Sequence, residues 1–160
     1  MKHEISFTLN GQSVITQVEA NLTLLDLLRE RLGITSAKKS CEQGECGACT
    51  VLMDGKAVNS CLILAVSVGG KTIETIESLG TAELHPLQKH FYEMAASQCG
   101  YCTPGMILAA KALLDENPDP TVEQVKAGLA GNMCRCTGYI KPVQAVLAAA
   151  REMQAQGERA

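Results

Sequence analysis

Tryptophan is absent from the 160 residues, and aromatic side chains make up only 3% of them. No core in this chain is organised around large rings. Basic excess is absent too: 14 Lys and Arg stand against 17 Asp and Glu, a formal charge of −3. Phosphate backbones are held by clustered positive charge, so nucleic acid is excluded as a partner. No run of 18 apolar residues occurs, hence no membrane span. The opening MKHEISFTLNG lacks the apolar stretch of a secretion signal. A reducing, cytoplasmic location is expected. Histidine is scarce: His3, His85 and His90 are scattered, and none has the spacing of a metal ligand. Internal repeats and low-complexity tracts are missing.

What the chain has in quantity is cysteine. There are eight, and all fall into two quartets. Cys41, Cys46, Cys49 and Cys61 stand as C-x4-C-x2-C-x11-C, whose opening is the plant-type spacing for a [2Fe–2S] cluster. Cys99, Cys102, Cys134 and Cys136 stand as C-x2-C, a long gap, then C-x-C. In a reducing compartment such thiols are ligands rather than disulfides. Thiolates are soft donors, and four of them match the four terminal positions of a [2Fe–2S] core. Gly44 and Gly47 lie between closely spaced cysteines, where positive φ would let the loop curl and aim N–H groups at sulfur.

Zinc is the competing reading. In the first quartet only Cys46 and Cys49 have the spacing of a zinc knuckle. In the second, spacing alone leaves zinc open. A thioredoxin-like Cys99–Cys102 redox pair needs a βαβ context, and this region reads as helix on both sides. Gly100, Pro104 and Gly105 surround the first pair, Gly131 and Gly138 flank the second, and both loops precede predicted helices. Helix N-termini favour an anionic group.

A chain of this length buries one core, or two of about 75 residues each that metal centres would reinforce. The first half reads as β-rich. Ile5, Phe7 and Leu9 alternate, Asn10-Gly11 marks a hairpin, and Val14, Thr16 and Val18 return. Leu24 to Leu32 predicts a helix with a core-facing leucine stripe, stopped by Gly33. A strand at 50–53 turns at Asp54-Gly55 into a partner ending near Cys61, and 71–77 alternates again. The second half predicts four helices: 85–97 from His85-Pro86, 106–116, a third capped by Thr121 and Gln124, and 141–153. The fold class is α+β: an N-terminal β-grasp plant-type ferredoxin domain (1–77), a linker (78–84) and a C-terminal four-helix bundle (85–160) that holds a metal between two turns. A frayed tail, QAQGERA, is expected.

The runs CEQGECGACTV, VNSCL, LHPLQ, QCGYCTPGM and LAGNMCRCTGY resemble the small iron–sulfur subunit of the xanthine oxidase family of molybdenum hydroxylases. The resemblance spans about residues 3 to 150, and each cysteine of the family's two quartets has its counterpart. It implies a large molybdopterin-binding subunit and a medium FAD-binding subunit as partners, in a heterohexamer built as a dimer of heterotrimers. It also implies two [2Fe–2S] clusters that relay electrons between the molybdopterin cofactor and FAD. By the same mapping Gln98 contacts the pterin, and Cys136 is both ligand and electron entry point. The Cys99/Cys102/Cys134/Cys136 cluster would lie next to molybdenum, and the Cys41/Cys46/Cys49/Cys61 cluster would face the flavin. Two positions depart from the family: Ser40 stands where Gly is common, with strain if φ is positive there, and Tyr101 where Phe is common, with a hydroxyl that could reach a subunit interface.

Several features carry little functional weight. His85 serves a turn, Lys38-Lys39 is a solvated pair, and Met94, Met106 and Met133 are gap-fillers. Arg135 reads equally as a tuner of the cluster and as an interface or solvent residue. No general acid, base or substrate pocket is legible. The expected role is an electron-transfer subunit of an oxidoreductase. The rivals are a free-standing two-cluster ferredoxin-like carrier or redox sensor, and a zinc-stapled interaction module.

Overall fold

In the computed structural model, which describes residues 2–80 and 82–157, the alternation of Ile5, Phe7 and Leu9 becomes one buried face of strand β1 (Lys2–Leu9). It pairs antiparallel with β2 (Gln12–Glu19), Leu9 opposite Gln12. Asn10 and Gly11 form the turn with φ of 49° and 80°, the twist-matched geometry of a tight hairpin. Asn10 also reaches across the sheet. Its amide donates to Thr75 Oγ1 and its Oδ1 accepts from the Thr75 N–H, both at 2.8 Å.

β3 (Thr50–Met53), β4 (Lys56–Asn59) and β5 (Thr72–Glu74) complete a mixed sheet in the order β2-β1-β5-β3-β4. Only β1 and β5 run parallel. The β5 pairing is shorter than the 71–77 alternation predicts: Ile76–Ser78 is a 3-10 turn, and Ile76 packs against the helical core instead. Helix α1 starts at Leu24 with Thr23 as cap, its hydroxyl accepting from Asp26 N–H at 3.0 Å. After Asp26 it widens into a π-helical turn, Leu27–Arg31. Leu24, Leu25, Leu27 and Leu28 are all buried against the sheet. A mixed sheet crossed by one helix is the expected ferredoxin layout.

The remaining helices are α2 (Pro86–Glu93), α3 (Thr103–Glu116), α4 (Val122–Leu129) and α5 (Ile140–Gly157). His85 caps α2, its Nδ1 accepting from Leu87 N–H, and Thr121 with Gln124 forms the predicted reciprocal cap of α4. α2 stops four residues short of Ser97. Ala95 takes φ 52°, Ala96 N–H bonds Phe91 O and Ala95 N–H bonds Tyr92 O, the pattern of a left-handed helix stop usually signalled by Gly. α3 begins three residues before Met106, and α5 runs past Met153 through much of the tail expected to fray. Glu158, Arg159 and Ala160 lie outside the described residues.

Two apolar clusters result, one under the sheet and one between helices. Leu52 of β3 and Leu79 belong to the helical cluster. Within the expected linker, Leu79 is buried, and a Cβ on Gly80 would meet His85 N at 2.6 Å; Thr81 lies outside the described residues. α3 lies along β3, so the halves meet there. No helix among the described residues is long and apolar enough to cross a membrane. Because Leu52 bonds into the sheet yet packs among helices, Leu52→Ala is expected to cost about 2–5 kcal/mol. Chemical unfolding followed by probes in each half checks this. Loss confined to the sheet half would disprove the coupling.

Candidate metal centres

The first cysteine group is built by a loop with unusual backbone. Glu42, Gly44 and Gly47 all take positive φ, at 56°, 81° and 66°. The φ of 81° at Gly44 favours glycine there. Ser40 is not among the positive-φ residues; the strain considered for it sits instead at Glu42. Asn59 donates to Gly44 O at 2.8 Å, and the Ser60 hydroxyl donates to Cys49 O at 2.7 Å. The residues just before Cys61 thus hold the loop that carries the other three. Gln43 N–H points at Cys41 Sγ at 3.4 Å. That amide, with those of Cys46 and Glu45, pulls the Cys41 thiol down to about 6. Burial first, then the Cys49 thiol, pushes Cys61 up to about 11.

The second group lies at the N-terminal ends of α3 and α5, as expected. Cys102 is the residue just before α3, and Cys134 and Cys136 stand in the loop before α5. Burial and the neighbouring Cys134 push Cys102 up to about 12. Burial also acts to raise Cys134, but bonds from the Thr137 hydroxyl (3.2 Å), the Thr137 N–H (3.4 Å) and the Cys136 backbone outweigh it, and that thiol is lowered. Cys136 is raised, chiefly by the thiol of Cys99. The Cys134 N–H donates to the Tyr139 hydroxyl at 2.7 Å, and Tyr139 takes φ 67°.

The thiols act on one another most strongly in pairs: Cys41 with Cys46, Cys49 with Cys61, Cys102 with Cys134, and Cys99 with Cys136. Among the described residues no three His, Cys, Asp or Glu side chains are grouped to hold a single metal ion. A tetrahedral zinc site would gather four thiolates about one point. Two pairs per group suit a dinuclear core, in which each iron takes two terminal thiolates. The opposed shifts within the groups agree. Neighbouring thiolates repel, so all four ionise together only when a cationic core is present. The eight cysteines fit two [2Fe–2S] clusters on these grounds.

The two groups are joined at a tight seam. Met133 N–H donates to Cys46 O at 2.9 Å. Asn132, buried, donates its amide to Gly47 O at 2.9 Å and Thr50 Oγ1 at 3.2 Å. A Cβ on Gly47 would meet Gly131 O at 2.3 Å, and one on Gly105 would meet Gly47 O at 2.4 Å. Tyr101 closes the outer edge, its hydroxyl donating to Lys39 O at 2.6 Å. The hydroxyl that distinguishes Tyr101 from Phe thus makes a contact within the chain. Lys39 itself pairs with Asp26 and Glu42 rather than standing solvated. A cavity of about 330 Å³ opens beside the seam, lined by Cys46 from one group and all four cysteines of the other.

Residues 7–73 match the 2Fe-2S iron-sulfur cluster binding domain, and residues 75–147 the [2Fe-2S] binding domain. The nicotinate dehydrogenase small FeS subunit of Eubacterium barkeri is 53% identical over 143 residues, covering 88% of this chain and 90% of that one. The chain belongs to the xanthine oxidase family of molybdenum hydroxylases, as a small iron–sulfur subunit. The crystal structure of quinoline 2-oxidoreductase from Pseudomonas putida 86 matches it with a TM-score of 0.93 and 44% identity, over 98% of both chains. The aldehyde oxidoreductase of Megalodesulfovibrio gigas is 48% identical over 147 residues, 89% of this chain but 16% of that protein. The same fold is therefore also built into a much longer polypeptide.

In this iron–sulfur subunit Gln98, Cys99 and Cys136 are exposed together, while Cys49 and Cys61 are buried. Met133 is 56% exposed, not a gap-filler, and Arg135 is exposed. Sequence reasoning missed Asn132, Thr137 and Tyr139, although all three stand in LAGNMCRCTGY. Their polarity beside two cysteines was the available signal. The seam yields a paired prediction. Gly47→Ala, strained at φ 66° and facing backbone, is expected to sharply lower the iron and acid-labile sulfide content of the purified complex. Gly131→Ala, with open space around its Cβ, leaves both unchanged. Equal loading of the two variants would remove the seam's requirement for close approach.

Proposed function

We propose that the chain relays electrons between a molybdopterin cofactor in a large partner subunit and FAD in a medium partner subunit. Cys41, Cys46, Cys49 and Cys61 hold one [2Fe–2S] cluster, and Cys99, Cys102, Cys134 and Cys136 the other. The assembly is a heterohexamer, a dimer of heterotrimers, working in the cytoplasm. The observation that carries this reading is the gathering of all eight thiols in two groups joined at a hydrogen-bonded seam, Met133 N–H to Cys46 O and the Asn132 amide to Gly47 O. When bound, each cluster supplies a centre that accepts and returns one electron at a time.

The chain's own residues do the rest. The amides of Gln43, Glu45 and Cys46 face Cys41, and such donors ease the added negative charge of reduction. Thr137 does the same for Cys134. Gln98, beside exposed Cys99, is offered outward to contact the pterin, with Cys136 next to it as the entry point. Exposed apolar side chains flank both groups: Met133, Tyr139 and Ile140 near Cys136, and Leu62 and Leu64 beyond Cys61. Apolar surface next to each redox site supports fixed partners on two sides, and this disfavours a free carrier.

Three outcomes test the assignment. The anaerobically purified complex is expected to be brown, to release acid-labile sulfide and to show two distinct [2Fe–2S] paramagnetic resonance signals when reduced; a colourless zinc protein would overturn it. Cys136→Ser or Cys99→Ser is expected to block reduction of the flavin by substrate while the ferredoxin-type signal survives. Normal flavin reduction in either variant would remove the proposed path. Gln98→Ala is expected to weaken association with the pterin subunit or slow the first transfer, and unchanged assembly and rates would leave Gln98 without that role.

A further inference from the structure

We propose that Asn132 is a positioning residue for electron transfer between the two sites. The proposal rests on the relay reading above and goes beyond it by naming what fixes the inter-site geometry. Gly47 O accepts from the Thr50 N–H at 3.1 Å and the Thr50 hydroxyl at 2.7 Å before Asn132 contributes. A carbonyl has two lone pairs, so Asn132 is not needed to satisfy it. What the Asn132 amide adds is a link across 85 residues of sequence. Its own backbone N–H is anchored to Leu129 O at the end of α4, so the bond ties a rigid helix to the loop of Cys46 and Cys49.

The next residue is Met133, whose N–H reaches Cys46 O, and the one after it is Cys134. Asn132 therefore stands at the root of the shortest hydrogen-bonded connection between the groups: Cys134, Met133 N–H, Cys46 O. Burial makes the amide hold its place. An unpartnered buried amide is costly, so the side chain is held to these two acceptors. Passage of an electron across this link oxidises one site by one electron and reduces the other by one. No bond forms or breaks, and no proton is carried. The reductant is the substrate-oxidising partner and the oxidant is the flavin partner.

The test uses the complete complex with Asn132→Ala, which removes the donor, and Asn132→Asp, which keeps the shape and replaces the donor by an acceptor. Iron and sulfide content, the magnetic interaction between the two reduced clusters, and the rate at which electrons reach the flavin are measured in each. Both variants are expected to keep the parent's iron and sulfide, to show an altered magnetic interaction, and to pass electrons about tenfold more slowly, as loosened positioning does. Full loading with unchanged interaction and unchanged rate would overturn the proposal. So would loss of iron from both variants, which would make Asn132 an assembly residue. A parent complex lacking two cluster signals would instead defeat the relay reading itself.

Discussion

Three donors converge on the carbonyl of Gly47, two from Thr50 and one from Asn132, and neither Gly47 nor Gly105 has room for a side chain. These contacts fasten the loop of the first cysteine group to α3 and to the residues that precede Cys134. Each half owns a separate apolar cluster, and the two could part without either being emptied. A seam hydrogen bond is worth about 0.5–1.5 kcal/mol, while burial of one leucine contributes about 1.5–3 kcal/mol. Leu52, packed among helices from a strand of the sheet, therefore outweighs any one of these bonds. The hydrogen bonds supply the direction. Surface pairs such as Lys39 with Asp26 and Glu42 are screened by solvent, and they steady only the rim.

The thiol electrostatics explain why these loops suit a charged inorganic core. One thiol of the first group is drawn down to about 6 by amides, while its neighbour Cys61 is pushed up to about 11 by burial. In the second group Cys102 is pushed up to about 12 while Cys134 is lowered. In each group one thiol is lowered by hydrogen-bond donors while another, Cys61 or Cys102, is raised chiefly by burial. Binding of the core and completion of the local fold are then one equilibrium. That suits a chain with 3% aromatic residues and two small apolar clusters.

Much of this was legible locally. Asn10-Gly11 and Asp54-Gly55 both form turns with positive φ at both residues. The Thr121–Gln124 cap, the Pro86 helix start and the close cysteine pairs Cys46/Cys49, Cys99/Cys102 and Cys134/Cys136 depend on neighbours a few residues away, and spacing carries them. The misses have a common cause. The stop of α2 rests on Ala95 adopting a left-handed conformation, which no local residue type advertises. The shortness of β5 follows from Ile76 turning to the helical core. Asn132 to Gly47, Tyr101 to Lys39 and Asn10 to Thr75 join residues 85, 62 and 65 positions apart. Pattern reading along the chain has no access to such contacts. The first two exist because two independently predictable halves settle in one relative pose, and the third because β5 returns beside the β1–β2 turn.

That pose orders the thiol pairs by exposure. Cys99 and Cys136 are exposed, Cys102 and Cys134 partly buried, Cys41 and Cys46 partly buried, and Cys49 and Cys61 buried. The second pair adjoins Met133 and the third contains Cys46, so these two flank the seam. Exposure thus falls from the Cys99 and Cys136 pair, with exposed Met133, Tyr139 and Ile140 close in sequence, to the buried Cys49 and Cys61 pair, next to exposed Leu62. A free carrier gains nothing from such an order, since one exposed edge would serve for both loading and discharge. A relay between two fixed partners needs a different surface at each end and a rigid middle. The glycine-tight junction provides that middle, and the proposed electron path follows the same order from pair to pair.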